Sequence, residues 1–358
     1  MPDVRRFRIA VIPGDGIGKE VVPEGIRVLD RVAERSAGTL SFVYEHFAWG
    51  CQYYLETGRM MDADGLDRLR RCDAIYFGAV GWPGVPDHVS LWGLRLAICQ
   101  GFDQYANVRP VRLLAGVPSP LKSATPETMD WVVVRENTEG EYAGIGGRNL
   151  AARGPGKAIA IQAGLFTEEG CERIIRFAFD LALTRRRHKV TSVTKSNAQQ
   201  FGMTLWDEVF SRVAADYPGV ETEQWLVDAM AARFVLRPET LEVVVASNLF
   251  ADILSDLGSA LAGSMGIAAS ANLDPDGRFP SMFEPVHGSA PDIAGQGIAN
   301  PIGTIWSAAL MLDHLGLATE AADVMRALEA TTASGMLTPD LGGQATTTQV
   351  TNAILAHL

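Results

Sequence analysis

The chain has 358 residues, of which 47% are hydrophobic and 20% charged, with a formal net charge of −11 and a sequence pI near 5.1. This length predicts two lobes rather than one core, and the composition is that of a soluble globular protein. The negative charge argues against nucleic acid or an anionic membrane as the main partner. An anionic small molecule stays open, because local arginines can outweigh a distant net charge.

The four cysteines are scattered along the chain without any CxxC spacing. They predict neither a disulfide framework nor a zinc site, and they favour a reducing cytoplasm. The first residues, MPDVRRFRIAV, lack the long apolar segment of a secretion signal, and no apolar run reaches the roughly 18–20 residues that span a bilayer. We therefore expect a cytoplasmic protein without a membrane partner.

Strand-like runs alternate with helical patterns along the chain. The strand-like runs are RIAVI, SFVYEHF, AIYFGAV, MDWVVVREN, KVTSVTK and LEVVVASN. Residues 19–36 and 167–185 carry apolar residues at helical spacing, and the tail from about Thr304 indicates further helices. This alternation predicts an α/β architecture with a largely parallel sheet. The glycine-rich residues 141–160 are predicted to be irregular or hairpin-like, as a projecting arm would be.

The first strand-like run ends in a glycine-rich turn, PGDGIGKEV. A Rossmann fingerprint needs G-x-G-x-x-G and an acidic residue that ends the second strand. Here the spacing of Gly14, Gly16 and Gly18 is G-x-G-x-G, Asp15 would repel a pyrophosphate, and Glu45 lies within its strand. The pattern favours a turn in which glycine serves backbone geometry. If a cofactor binds, we expect its contacts elsewhere.

Paired carboxylates stand out in SNLFADILSDLGSAL. Asp252 and Asp256 are four residues apart, so they share one face of a helix whose other positions are apolar. Oxygen ligands of this kind suit Mg²⁺ or Mn²⁺, although a solvated polar face gives the same pattern. Asp228, in QWLVDAMAARFV, is a candidate third ligand, and its alternative interpretation is a cap or a surface residue.

Three arginines, Arg95, Arg109 and Arg135, each adjoin apolar sequence. Arg135 ends a run of valines, so its head is expected at the carboxyl end of a strand, where ligands collect in open α/β sheets. Any one of them alone is more simply interpreted as part of a surface salt bridge. Together they imply a substrate with at least two carboxylates, which the planar guanidinium matches in a bidentate way.

Lys195, in VTKSNAQQ, and Tyr142, in TEGEYAG, are acid–base candidates, each with a structural alternative. A lysine near a divalent cation has a lowered pKa and can act as a base at neutral pH. The late loop FEPVHGSAPDIAGQGIANP offers backbone amides and His287 for an adenosine moiety, and Asp292 for ribose hydroxyls, which would select NAD. By composition alone it is a turn-rich loop.

Taken together, these stretches resemble the metal-dependent β-decarboxylating dehydrogenases, the family of the isocitrate, isopropylmalate, homoisocitrate and tartrate or D-malate dehydrogenases. The resemblance rests on IPGDGIGKEV, FGAVGWPGVPD, YANVRP, RENTEGEYAG, TKSNA, VDAMAARFV, NLFADILSDL and EPVHGSAPDIAGQGIANP, which cover nearly the whole chain. Residues 53–87 look most like the tartrate/D-malate branch. The resemblance implies an α/β, two-domain isopropylmalate-dehydrogenase-like fold distinct from the Rossmann fold, with a projecting dimerisation arm.

The resemblance also implies an organisation of the chain. A larger cofactor-binding domain would comprise residues 1–104 and 263–358, and a smaller dimerisation and metal domain residues 105–262. Members are homodimers with shared active sites, so Lys195 and Asp228 would come from the subunit opposite to Asp252.

Site roles follow from the same resemblance, residue by residue. Tyr142 and Lys195 match the catalytic pair, and Arg109 and Arg135 match two of three substrate-binding arginines. The metal ligands for Mg²⁺ or Mn²⁺ would be Asp228, Asp252 and Asp256. The NAD-binding residues of the late loop would be His287, Gly288, Ser289, Ala290, Asp292 and Asn300.

One position departs from the family pattern. The family's first arginine lies ten residues before the one in YANVRP, and that position is Cys99 here, whereas Arg95 precedes it by four residues. We hypothesise that Arg95 still binds a carboxylate in a pocket of altered shape. An unpaired arginine there would tolerate an isopropyl group poorly, so a small or highly polar malate derivative is favoured over isopropylmalate.

The sequence therefore predicts an enzyme that uses NAD and a divalent metal to oxidise a small 2-hydroxy diacid such as D-malate or tartrate, with or without decarboxylation. The alternatives are another malate-derivative dehydrogenase of the family, of isopropylmalate or isocitrate type, and a non-catalytic regulatory subunit. A nucleotide-binding module without a hydride acceptor would leave the tyrosine–lysine pair unexplained.

Overall fold

A ten-stranded sheet forms the centre of the computed structural model, which describes residues 4–149, 156 and 158–358. Its strand order is β2-β1-β3-β12-β11-β4-β5-β10-β8-β9. The strands are β1 Arg5–Gly14, β2 Leu40–His46, β3 Ala74–Ala79, β4 Ala106–Arg112, β5 Asp130–Glu136, β8 Lys189–Thr194, β9 Glu221–Leu226, β10 Val243–Ala246, β11 Ala269–Leu273 and β12 Ser281–Pro285. All neighbouring strands pair in parallel except three pairs, β12 with β11, β11 with β4 and β4 with β5, so the sheet is largely parallel.

Helices cover both faces of this sheet. They are α1 Gly18–Arg35, α2 Cys51–Thr57, α3 Gly65–Leu69, α4 Asp87–Ser90, α5 Leu96–Gly101, α6 Glu168–Thr184, α7 Gly202–Ala214, α8 Val227–Leu236, α9 Asn248–Leu261, α10 Ile302–His314, α11 Ala318–Ala333 and α12 Thr347–His357. A π-helical turn, Leu91–Arg95, joins α4 to α5. Helices α1, α10, α11 and α12 pack together beside β3, β11 and β12, and α9 packs on β4 and β5.

The strand β1 shows why several strands contain continuous apolar runs. Ile9 and Val11 pack into one hydrophobic core, whereas Ala10 and Ile12 pack into a second core beside α2, α3 and α5. Because successive side chains of a strand point to opposite faces, a strand covered on both faces has no polar positions to spare. The continuous apolar runs of the sequence report this double burial.

The predicted strands and helices, and the largely parallel α/β sheet, are present in the described residues. Four strands, β4, β9, β11 and β12, were not predicted. β9 is a polar edge strand, and β4 carries Arg109 and Pro110, so neither has an apolar run. β11 and β12 are five residues each, and their pairing is decided by their neighbours rather than by local pattern.

The two halves of the sheet come from different parts of the chain. Strands β2, β1, β3, β12 and β11 belong to residues 1–104 and 263–358, whereas β4, β5, β10, β8 and β9 belong to residues 105–262. The halves meet where β11 pairs with β4, through Ala271 opposite Val108 and Asn272 opposite Asn107. This arrangement is compatible with the domain boundaries predicted from the sequence, which stay a prediction.

A separate two-stranded sheet lies within the glycine-rich segment. It pairs β6, Gly146–Asn149, with β7, Ile159–Gln162, in antiparallel register, as predicted for a hairpin. Its side chains are exposed, and Ile161 retains 67% of its accessible surface. The predicted arm also includes residues 150–155 and 157, which lie outside the described residues, and a role in dimerisation stays a prediction.

Two further expectations concern thiols and membranes. All four cysteines are buried free thiols. In the part of the chain that the structure describes, no helix combines the length and apolar character needed to cross a membrane.

Candidate active site

A cavity of about 180 Å³ lies where the two halves of the sheet meet. The first half contributes Arg95, Glu284, His287 and Gly288, and the second half contributes Arg109, Arg135, Tyr142 and Asp252. Seven of these eight residues were candidates from the sequence, and Glu284 was not. The fold therefore brings together at one cavity groups that are separated by up to 193 positions in the chain.

Arg109 and Arg135 converge on one carboxylate, that of Asp252. Arg109 Nη1 donates to Asp252 Oδ1 at 3.1 Å, and Arg135 Nη1 donates to the same oxygen. Arg135 comes near the carboxyl end of β5, as predicted, and its Nε and Nη2 donate to Asn248 Oδ1 at 2.9 and 2.7 Å. Asn248 is the first residue of α9, the helix that carries Asp252, so the helix and both guanidinium groups are fixed together.

The charges of this cluster shift its pKa values in opposite directions. Burial raises the pKa of Asp252, but the Arg135 and Arg109 guanidinium groups outweigh burial and bring it to about 2. Burial and the neighbouring Arg135 charge lower the pKa of Arg109 to about 10. Burial, reinforced by the Asp252 charge, raises the pKa of Asp256, which lies one helical turn beyond Asp252. The cluster thus holds one fixed anion beside two cations.

Tyr142 meets the same carboxylate from a short helical turn after β5. Its hydroxyl donates to Asp252 Oδ2 at 3.2 Å, and the Arg135 guanidinium lies 5.3 Å from the centre of its ring. Gln100, on α5, donates from Nε2 to the Tyr142 carbonyl at 3.0 Å. Burial, with the Asp252 charge, raises the pKa of Tyr142, so the phenol stays protonated and can act as a proton donor.

Arg95 lines the opposite wall of the cavity, at the end of the π-helical turn. Its Nε donates to Glu284 Oε1 at 2.8 Å, and its Nη2 lies 2.7 Å from the same oxygen and 3.2 Å from Asn272 Oδ1. The chain therefore supplies a carboxylate partner for this arginine, a pairing that the sequence did not predict. Cys99 is fully buried in the second hydrophobic core, and Arg95 as a substrate-binding residue stays a prediction.

Buried amides connect the two walls. Asn272 donates from Nδ2 to Glu284 Oε1 at 2.8 Å and accepts from Asn107 Nδ2 at 2.7 Å. Asn107 in turn accepts from Arg109 Nε at 2.7 Å. This chain of hydrogen bonds crosses the β11–β4 junction, so the orientation of Arg109 depends on residues in both halves of the sheet.

Lys195 and Asp228 lie elsewhere on the chain's surface. Lys195 Nζ lies 2.5 Å from Asp228 Oδ1, and the Asp228 side chain is 67% exposed. The hydrogen bond from Lys195 lowers the pKa of Asp228. Neither residue lines the cavity, so a single chain brings together Asp252 and Asp256 but not Asp228.

The donor set fits a divalent cation only in part within one chain. Asp252 and Asp256 present carboxylate oxygens on one helix face, the ligand type that Mg²⁺ and Mn²⁺ prefer. Among the described residues, no three histidine, cysteine or acidic side chains form a metal-binding cluster. A site with three carboxylates would need Asp228 from a second copy of the chain.

The glycine turn packs against the late loop instead of forming an open phosphate cradle. Ile17 donates its amide to the Ser289 carbonyl at 2.9 Å, and a Cβ on Gly16, where φ is +51°, would lie 2.0 Å from that oxygen. The Asp15 carboxylate accepts the amides of Cys51 and Gly81 at 2.8 and 2.9 Å. The turn thus serves backbone geometry, as the sequence favoured.

The predicted cofactor residues occupy different environments. His287 and Gly288 line the cavity, and His287 Nε2 is buried without a partner among the described residues, so it is available to a ligand. Burial lowers the pKa of His287. Ser289 is buried, Ala290 adopts a positive φ of 39°, and Asp292 is exposed.

Asn300 has its amide engaged within the chain. Its Nδ2 donates to Asp340 Oδ2 at 3.0 Å, and its Oδ1 accepts the amide of Ile302 at the start of α10. Its side chain therefore holds the end of the late loop in place. A direct contact with a cofactor stays a prediction.

Sequence reasoning missed the polar partners that orient the arginines, namely Asn107, Asn248, Asn272, Ser255 and Glu284. One signal was available: Glu284 interrupts the apolar run SMFEP, and an acidic residue in a buried strand needs a partner. The asparagines carry no such signal, because a single amide in a strand is compatible with many environments.

Comparison with known proteins places the chain in one protein family. The protein family described as isocitrate/isopropylmalate dehydrogenase matches residues 8–354. A probable tartrate dehydrogenase/decarboxylase of Agrobacterium vitis is 56% identical over 351 residues, covering 98% of this chain and 97% of that protein. The D-malate dehydrogenase (decarboxylating) of Escherichia coli strain K12 is 54% identical over 358 residues, covering 98% of both chains.

A solved structure supports the fold. The crystal structure of isocitrate dehydrogenase from Methylococcus capsulatus superposes with a TM-score of 0.86 and 34% sequence identity, covering 98% of this chain and 99% of that one. The expected resemblance, and the α/β fold that it implied, are therefore confirmed.

Proposed function

The chain belongs to the isocitrate/isopropylmalate dehydrogenase family, and on that premise we propose that it oxidises a small 2-hydroxy diacid of the tartrate or D-malate type. Members of this family act with a nicotinamide cofactor and a divalent metal. We propose NAD as the cofactor, Mg²⁺ or Mn²⁺ as the metal, and decarboxylation after oxidation where the substrate permits it. The observation that carries the proposal is the cavity in which Arg109, Arg135, Tyr142 and Asp252 share one hydrogen-bonded cluster.

The arginines explain the preference for a diacid. Arg109 and Arg135 are almost fully buried, yet between them they face the single carboxylate of Asp252 and the more distant Asp256. A bound carboxylate would supply further negative charge beside these buried cations, in the bidentate geometry that guanidinium favours. The substrate's carboxylates would thus be bound by this chain's own cations.

Proton transfer is assigned to two side chains. When bound, NAD supplies a hydride acceptor and the divalent cation stabilises negative charge on the substrate oxygen. Lys195 removes the proton of the C2 hydroxyl, directly or through water, as C2 loses hydride. After loss of the C3 carboxylate as CO₂, Tyr142, whose hydroxyl lies at the cavity beside Asp252, delivers its proton to the enolate carbon.

We propose that two copies of the chain share each active site. Asp252 and Tyr142 lie at the cavity, whereas Lys195 and Asp228 face outward on the same chain. Helices α8 and α9 pack against each other, and each exposes a large apolar side chain: Ile253 on α9 is 57% exposed and Leu236 at the end of α8 is 73% exposed. A second copy packed against these helices would cover such side chains and bring its own Lys195 and Asp228 to the cavity.

The late loop and the domain division complete the proposal. His287 and the backbone around Gly288 line the cavity and would contact NAD, and the exposed Asp292 carboxylate would accept ribose hydroxyls. Residues 1–104 with 263–358 would form the cofactor-binding domain, and residues 105–262 the dimerisation and metal domain. Buried free thiols favour a reducing, cytoplasmic location.

The proposal is tested by a substrate screen of the purified protein. The substrates are the tartrate isomers, D-malate, isocitrate and isopropylmalate, each with NAD or NADP and with Mn²⁺, Mg²⁺ or a chelator. We expect NADH formation with tartrate or D-malate, loss of activity on chelation and recovery on adding Mn²⁺. CO₂ release, measured in the same samples, reports decarboxylation.

Two results would contradict the proposal. No reduced cofactor with any diacid would favour the non-catalytic regulatory subunit. Equal or better turnover with NADP than with NAD would exclude the role given to Asp292.

A further inference from the structure

Arg95 differs from the other arginines of the cavity in its carboxylate partner. Arg109 and Arg135 bind the carboxylate of Asp252, whereas Arg95 binds Glu284 on the opposite wall. Both members of the Arg95–Glu284 pair are buried, with side-chain exposures of 10% and 6%, and both line the cavity. Their charges cancel locally, so this wall is polar but carries no net charge.

The guanidinium group of Arg95 is only partly used by the chain. Nε and Nη2 are engaged by Glu284 and Asn272, whereas Nη1 makes no hydrogen bond to any described residue. Because Arg95 lines the cavity, Nη1 is the donor left for a molecule that occupies it. The acceptor that fits a locally neutral wall is a neutral oxygen, since Glu284 already balances the charge of Arg95.

The backbone fixes this donor in place. Arg95 is the last residue of the π-helical turn Leu91–Arg95, a wide turn that often marks a functional site in a helix. Leu91, at the other end of the same turn, also lines the cavity. Gly93, inside the turn, allows Met60 to approach closely, because a Cβ there would lie 2.6 Å from Met60 Cγ. The turn therefore packs against Met60, and it holds the Arg95 guanidinium at the cavity.

Tartrate and D-malate differ by one hydroxyl group, which tartrate carries on C3. The proposed function already assigns the substrate carboxylates to Arg109 and Arg135 and the C2 hydroxyl to Lys195. We propose, resting on the proposed function, that Arg95 determines specificity by donating a hydrogen bond from Nη1 to a hydroxyl on C3 of the diacid. This assignment replaces the hypothesis that Arg95 binds a carboxylate.

The proposal predicts an order of kcat/KM among substrates that differ at C3. A C3 hydroxyl satisfies Nη1, a C3 hydrogen leaves room for a water molecule, and a C3 alkyl group covers the donor without pairing it. A site built to hydrogen-bond a hydroxyl discriminates against an analogue without one, because the donor then pairs only with an immobilised water molecule or, beneath an alkyl group, with nothing. The wild-type kcat/KM should therefore fall from the best tartrate isomer to D-malate to 3-isopropylmalate.

The test is the ratio of kcat/KM for tartrate to that for D-malate. In Arg95→Leu we expect this ratio to fall about tenfold or more, the factor that one hydrogen bond from a charged donor contributes. Arg95→Leu leaves Glu284 buried without its partner, so the double variant Arg95→Leu/Glu284→Gln is measured beside it as a version without a stranded charge. The matched control is Arg112→Leu, which removes an arginine paired with Glu329 at 2.7 Å, outside the cavity.

The outcomes separate the two proposals. A ratio that changes less than about twofold in both variants, or equal losses for both substrates, shows that Arg95 only supports the wall and overturns the inference. A wild type that prefers 3-isopropylmalate to tartrate overturns it without any variant. Wild-type protein that oxidises no diacid refutes the proposed function and the inference with it.

Discussion

The two groups of acid–base residues in this chain have opposite surroundings. Asp252 and Tyr142 lie in a buried cluster in which two guanidinium groups are fixed by Asn107, Asn248 and neighbouring hydroxyls. Lys195 and Asp228 form a single pair at the surface, and the Asp228 side chain is 67% exposed. The first group is organised by many contacts within one chain, whereas the second is a single side-chain pair at the surface.

This difference indicates that the two groups contribute to the protein in different ways. A buried cluster of opposite charges is costly to assemble and is usually retained for binding or catalysis. A surface ion pair contributes little to stability. In the proposed shared site, Lys195 and Asp228 would instead serve the active site of another copy of the chain. If so, the two groups should contribute differently to the free energy of unfolding of the chain, and both should be needed for activity.

The largest effect is expected for Asp252→Asn. It removes the anion that aligns Arg109 and Arg135, the partner of the Tyr142 hydroxyl and one candidate metal oxygen. We expect kcat/KM for D-malate or tartrate to fall about 1000-fold or more, measured as NADH formation with Mn²⁺. The control is Asp216→Asn, which removes a carboxylate paired with Arg176 at 2.8 Å on the surface. A loss below tenfold would show that Asp252 does not organise the site.

Mixing two inactive variants tests whether the groups belong to one site across two chains. Lys195→Met and Asp252→Asn should each be inactive alone. If each site takes Lys195 from one subunit and Asp252 from the other, a mixed dimer has one site with neither change. Refolding the two variants together in equal amounts should then restore about a quarter of the wild-type activity.

Restoration depends on exchange of subunits, so the mixture is compared with the same variants combined after folding. Lys195→Met mixed with Asp228→Asn serves as the matched control, because both changes would fall on the same side of every shared site. An Asp252→Asn mixture that is no more active than its separate components would place the whole site within one chain.

Substitutions in the two groups should have different effects on the free energy of unfolding. Asp252→Asn leaves two buried guanidinium groups without their common anion, and because Asp252 is partly exposed we expect the free energy of unfolding to fall by about 1–3 kcal/mol. Lys195→Met and Asp228→Asn should leave it unchanged within error. Urea unfolding at fixed protein concentration measures all three. Equal destabilisation by Asp228→Asn would mean that the exposed pair also supports the fold of the chain.

The smallest effect is expected at Gln100. Gln100→Ala removes the hydrogen bond to the Tyr142 carbonyl, so the phenol should be held less firmly against Asp252. Because one neutral hydrogen bond contributes about 1 kcal/mol, kcat should fall about fivefold with little change in KM. Gln100→Glu keeps an acceptor but lacks the amide donor, so it should not restore kcat. An unchanged kcat in Gln100→Ala would show that Tyr142 is positioned by Asp252 and Arg135 alone.

Residue patterns along the chain predicted the main helices and strands and most of the side chains that line the cavity. Continuous apolar runs such as WVVV and AIYFGA predicted buried parallel strands, because the side chains of a strand covered on both faces are buried on either side. Helical spacing placed Asp252 and Asp256 on one face, and the end of a valine run placed Arg135 at the edge where the cavity lies. These are local properties, set by the period of each element.

Which charged side chains pair with one another depends on how the elements pack. The pairing of Arg95 with Glu284 joins residues 189 positions apart, and the relay from Glu284 through Asn272 and Asn107 to Arg109 exists only because β11 lies beside β4. The spacing of residues along the sequence likewise could not show that Asp228 lies apart from Asp252 within one chain. A side chain's period shows which face it occupies, but its partner is chosen by the strand order of the sheet, and that order is a property of the whole chain.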